Sequence, residues 1–348
     1  MVPQVMRIMK NSVVLLLFLA AALVGCSNPA IAHYNAGVEH SEEGRWEEAI
    51  AEYDEAIRLA PQDADAYYNR GIAYDNLGDY QRAIEDYDEA IRLDPEDALA
   101  FHNRGYAYDN LGEHRRAIED YDEAIRLNPQ DSDAYYNRGI AYFDLGEYQR
   151  AIDDYGEAIR LNPQASEAYG NRGIAYAGLG EHQRAMEDYD EVLRLDPQAK
   201  AYFNRGIAYD DLGEYQRAIE DYDEAIRLNP QYTDAYFNRA IAYYDLGEYQ
   251  RAIEEYDEAI RLNPKDSDAF LNRGIALGEL SAYQRAIKDY DEAIRLDPQY
   301  AGAYAIRALS YTHLGRDLEA QQDAERAIDL GFDRGILEAA IEEAKRER

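Results

Sequence analysis

An asparagine returns at one register along most of this chain: Asn35, Asn69, Asn103, Asn137, Asn171, Asn204, Asn238 and Asn272. A carboxamide carries one acceptor and two donor hydrogens, so it can pair with both the carbonyl and the amide of one extended peptide unit. A ladder of such groups would hold a peptide backbone with little regard for its sequence. The residue before each is mostly aromatic or apolar, as Tyr68, His102, Tyr136, Phe203, Phe237 and Leu271 show, although Gly170 breaks the run. Those side chains suit pockets for a ligand's own side chains. The residue after is arginine from Arg70 onward. A partly buried guanidinium is costly unless paired, and carboxylates such as Asp86 or Asp88 are the expected partners, in a structural role.

No arrangement of residues reads as catalytic. The six histidines are His33, His40, His102, His114, His182 and His313. His33 and His40 stand where equivalent segments carry tyrosine, which points to packing. Acid clusters such as "EDYDE" lack the loop glycine and spacing of a calcium site. There is no phosphate-binding glycine loop, no serine elbow and no pair of cysteines. The expectation is a non-enzymatic protein with no cofactor and no metal centre.

The elements that position the asparagines follow from a period. Prolines fall at 61, 95, 129, 163, 197, 230, 264 and 298, each 34 residues after the last except for one step of 33. Such a period means a stacked repeat array in place of a single globular core. With the proline as slot 32, the repeat at 64–97 has Tyr67 at slot 4, Gly71 at 8, Tyr74 at 11, Gly78 at 15, Tyr80 at 17, Ala83 at 20, Tyr87 at 24 and Ala90 at 27. Slots 4, 8 and 11 share one helical stripe, and slots 17, 20, 24 and 27 share another. Glycine at slot 15 ends the first helix, and proline ends the second. Each repeat is therefore a helical hairpin that must stack on its neighbours to bury its apolar stripe.

This pattern resembles the tetratricopeptide repeat family. The resemblance spans nine repeats, 30–63, 64–97, 98–131, 132–165, 166–198, 199–232, 233–266, 267–300 and 301–334, with 335–348 as a C-terminal capping helix. It implies an all-α fold, a right-handed superhelical solenoid with the first helices lining the hollow. At about 100° per residue, slots 2, 6, 9 and 13 lie opposite the packed stripe, so the asparagines of slot 6 would face that hollow. In the eighth repeat Ser281 replaces the turn glycine, at an expected cost of about 1 kcal/mol if the left-handed conformation is kept.

Charge narrows the partner. The chain has 348 residues, 36 basic against 70 acidic, and a net charge of −34. A polyanion repels phosphate backbones, so nucleic acid is excluded as a partner. Chaperone-binding members of the resembled family grip a carboxylate terminus with basic residues at slots 2, 5 and 6. Here slot 2 reads Asp65, Asp133, Glu167, Asp234 and Asp268, with Lys200 the lone base. Asp75, Asp109, Asp144, Asp211 and Asp245 at slots 12 and 13 add acidity. The expected ligand is a neutral or basic extended segment of another protein. Most of the remaining acidity, as in "RAIEDYDEAIRL", pairs with arginine three or four residues away and supports the helix.

The first residues differ in character. Arg7 and Lys10 precede the apolar run "VVLLLFLAAALV" (13–24), too short to span a bilayer, and small residues follow. "LVGC", ending in the single cysteine Cys26, resembles the lipobox of bacterial lipoproteins. The resemblance implies a signal peptide at 1–25, a lipidated Cys26 and a linker of 26–29 only, with the protein exported and anchored in the cell envelope, at the outer membrane if the host has two membranes. An ordinary signal peptide would leave a secreted soluble protein instead. The function read from all of this is a membrane-anchored adaptor. A cell-wall glycan-binding module, with aromatic slot 5 residues stacking on sugar rings, is the alternative.

Overall fold

The computed structural model describes residues 28–348. The expected signal peptide at 1–25 and Cys26 lie outside the described residues. Among these residues the chain forms nineteen α-helices and no strand. The described residues divide into two compact units, 28–168 and 169–348.

In the first unit the helices are α1 (Pro29–Glu42), α2 (Trp46–Leu59), α3 (Ala64–Asn76), α4 (Tyr80–Leu93), α5 (Ala98–Asn110), α6 (His114–Leu127), α7 (Ser132–Asp144) and α8 (Tyr148–Leu161). Each odd-numbered helix pairs with the next even one, which packs in turn on the following hairpin. The division between the units falls in α9 (Ser166–Gly178). The second unit continues with α10 (His182–Leu195), α11 (Ala199–Asp211), α12 (Tyr215–Leu228), α13 (Thr233–Asp245), α14 (Tyr249–Leu262), α15 (Ser267–Glu279), α16 (Tyr283–Leu296), α17 (Ala301–His313), α18 (Asp317–Asp329) and α19 (Arg334–Glu347).

Packing follows the two stripes. Ala83, Tyr87 and Ala90 of α4 are essentially inaccessible. Gly71 of α3 lies so close to them that a Cβ there would stand 2.7 Å from the Tyr87 ring, so the absence of a side chain sets the helix separation. The turn between paired helices has one left-handed residue, as at Gly78 with φ 77°. Asp97 and Asp131 cap first helices by accepting from Leu99 N at 2.9 Å and Asp133 N at 3.1 Å, which satisfies amides that have no partner inside the helix.

Ser281 keeps the left-handed turn at φ 57°, the sole non-glycine residue with positive φ among the described residues. Ser281→Gly is therefore expected to raise stability by about 1 kcal/mol, read as a higher urea midpoint at unchanged slope. No gain would mean that the turn relaxes without strain.

The last helix closes the second unit. Asp333 caps α19 by accepting from Ile336 N at 2.8 Å, and Leu337 and Ala344 are buried while Ile341 packs partly on the same cluster. Ile336 of the same helix is 66% exposed.

Candidate functional site

The arginines of slot 7 are structural clamps. Arg70 donates to both carboxylate oxygens of Asp86 on the partner helix of its own hairpin, at 2.8 and 2.6 Å, and to Asp54 of the preceding hairpin at 2.5 Å. Asp88 belongs to the next arginine, Arg104, at 2.6 Å. Asp86, Asp120 and Asp154 are buried; burial pushes each carboxyl up, and the bound arginine pulls it back down. The same guanidinium also lies over the slot 4 ring, as Arg138 does over Tyr135 at 5.6 Å. Asparagine and arginine, adjacent in sequence, thus point to different tasks.

The slot 6 asparagines are half-buried throughout, from Asn35 to Asn272. What they bond depends on the residue one repeat back at slot 5. Asn69 Nδ2 donates to Tyr34 Oη at 3.0 Å and to the Asp65 carbonyl at 2.7 Å, which occupies both its hydrogens. Asn103 Nδ2 donates to Tyr68 Oη at 3.0 Å, and Asn137 Nδ2 pairs with His102 Nε2 at 3.0 Å. One repeat before Asn204, Asn238 and Asn272, slot 5 holds Gly170, Phe203 and Phe237, whose side chains accept nothing. There Asn238 and Asn272 turn to the carbonyls of Asp234 and Asp268 on their own helices, at 2.8 and 2.9 Å. Asn171 also has a partner within the chain. At Asn69 both amide hydrogens are thus committed within the chain, and at Asn103, Asn137, Asn238 and Asn272 the amide nitrogen makes one such bond.

The slot 5 aromatics lean on the buried slot 24 tyrosines. Ring centroids are 6.0 Å apart for Tyr68 and Tyr87, 5.9 Å for Tyr136 and Tyr155, 5.9 Å for Phe203 and Tyr222, and 5.7 Å for Phe237 and Tyr256. All four are half-buried and act chiefly as the floor between first and second helices.

A cleft of about 310 Å³ opens in the second unit between α13 and α15, lined by Ile241, Tyr244, Asp245, Tyr256, Asn272 and Ile275. It joins an expected site residue, Asn272, to an expected acid, Asp245, whose carboxyl is pushed up by burial. Its apolar walls come from slot 9, Ile241 and Ile275, which slot counting placed on the open face but which were not singled out. Acids at the adjacent slot 12 of other repeats are perturbed further: burial pushes the carboxyls of Asp75 and Asp210 up to about 6. A face that offers carboxamide oxygens and carboxylates is an acceptor surface, and it favours donors: peptide amides, lysine and arginine.

Family models described as tetratricopeptide repeat match residues 64–97, 132–164, 166–198 and 267–300, residues 203–267 and residues 86–119, and a model described as TPR repeat matches 37–78 and 110–146. No curated protein matches the chain. Among solved structures, a tetratricopeptide repeat protein from Parabacteroides merdae is 22% identical, covers 71% of this chain and 98% of its own, and superposes with a TM-score of 0.54. The Cut9–Hcn1 hetero-tetramer of the APC/C is 16% identical over 93% of this chain and 80% of its own, with a TM-score of 0.53. YrrB, described as a TPR protein with an unusual peptide-binding site, is 27% identical over 53% of this chain and 95% of its own, with a TM-score of 0.48. The first two likenesses concern the fold alone.

Proposed function

Because the chain belongs to the tetratricopeptide repeat family, a family of protein interaction scaffolds, we propose that it is a non-enzymatic adaptor whose first-helix face binds neutral or basic extended segments of other proteins. One observation carries this reading: in the cleft between α13 and α15, a carboxamide, a carboxylate and apolar walls meet within one opening of about 310 Å³. The oxygens fix backbone and basic donors, and Ile241 and Ile275 take up side chains. Acyl chains on Cys26 would hold the array at an envelope membrane, since lipid anchoring contributes about 0.8 kcal/mol per buried methylene.

The test is capture from an envelope extract beside a binding assay on cell-wall glycan. Proteins retained at low salt and released as ionic strength rises are the expected result, because screening weakens attraction to an acidic face. Asn238→Ala with Asn272→Ala should reduce that capture several-fold. Retention of glycan without protein would transfer the function to the sugar-binding alternative. Capture indifferent to salt would contradict the acidic-face account.

A further inference from the structure

The third and fourth repeats bring together three side chains that share no motif in the sequence. Asp109 lies in the last turn of α5, His114 begins α6 and Asp144 ends α7. One ligand atom of each lies within 4.8 Å of the other two, and His114 Nδ1 stands 2.7 Å from Asp109 Oδ1. We propose that this cluster is a binding site for a transition-metal dication of the zinc class.

Imidazole and carboxylate oxygen form a mixed donor set that such ions accept at about 2.0–2.2 Å. Asp144 is exposed and can swing inward, while Asp109 and His114 are already held together. The surroundings favour a cation there. Ligand oxygens of Asp109 and Asp144 lie within 4.8 Å of each other; a dication between them would relieve the repulsion of two carboxylates. Two turns along α6 from His114, the Tyr121 side chain is wholly buried and its hydroxyl has no partner. A shallow cleft of about 390 Å³ borders His114, lined also by Glu113, Arg115, Arg116 and Leu145. Three protein ligands leave at least one coordination position for water or for a donor from a bound partner.

The other repeats supply controls. Slot 17 is tyrosine in most of them, for example Tyr80 and Tyr148. Histidine recurs there at His182, which has Asp211 at 3.3 Å but Ala177 where the third repeat has Asp109. Two ligands are present at that place and three at His114.

Calorimetric titration of the full chain with zinc chloride at neutral pH tests the proposal. Expected is one saturable site per chain, weakened at least about tenfold in His114→Tyr and in Asp144→Asn, and unaltered in His182→Tyr. His114→Tyr installs the residue its neighbours already carry, and unchanged circular dichroism will verify its fold. Absence of a saturable site would overturn the assignment, as would wild-type affinity in His114→Tyr or an equal loss in His182→Tyr.

Discussion

Arg138→Ala is expected to destabilise the protein by about 3–5 kcal/mol, far more than loss of any surface ion pair. The Arg138 guanidinium grips Asp154 through two bonds of 2.7 and 2.6 Å and reaches Asp122 of the preceding hairpin at 2.5 Å. Asp154 is only 6% exposed. Deleting the arginine leaves a buried carboxylate with no cation, and most of the loss arises from that stranded charge. By contrast Arg160 and Glu157 form an exposed pair one turn apart, so Arg160→Ala should change stability by no more than about 1 kcal/mol. Urea unfolding of the two variants decides the matter. Equal midpoints would show that the clamps are ornaments of the surface and that apolar stacking alone joins neighbouring hairpins. Because the side chain ties two successive repeats, the slope should also fall if the array loses cooperativity.

A second large effect is expected at Tyr222, whose side chain is wholly inaccessible and whose hydroxyl has no partner. Its ring fills the space left by Gly206, where a Cβ would stand 2.6 Å away, and it supports Phe203 at 5.9 Å. Tyr222→Ala should cost about 3–5 kcal/mol through lost transfer energy and the cavity left behind. Tyr222→Phe keeps the ring and removes a buried hydroxyl that bonds nothing, so it should be neutral or stabilising by up to about 1–3 kcal/mol. Thermal and urea midpoints of the pair separate the contributions. If phenylalanine destabilised as much as alanine, the hydroxyl must be bonded in solution and the packing account would need revision.

Hairpins, turns and clamps were readable because their causes are local. Glycine at slot 15, proline at slot 32 and apolar residues on two stripes each act within one repeat, and Asp86 lies on the helix that pairs with Arg70's own. The asparagines were only partly readable. Their position at slot 6 follows from helical arithmetic, but the fate of their hydrogens depends on a side chain 35 residues earlier, which is an acceptor in Tyr34 and Tyr68 and none in Phe203. The aromatic slot 5 residues looked available because their neighbours are polar; the structure sets them against slot 24 tyrosines from the second helix of the same hairpin. The walls of the cleft, Ile241 and Ile275, come from separate repeats and meet only when first helices stack. The grouping of Asp109, His114 and Asp144 likewise needs two turns of chain from different hairpins, and no spacing rule announces it.

The central claim is that the first-helix face receives the partner. A photoreactive amino acid at Tyr106, 43% exposed on α5, should crosslink the captured protein, whereas the same probe at the exposed Glu119 on α6 should not. Crosslinking from position 119 with none from 106 would place recognition on the second helices and contradict the account.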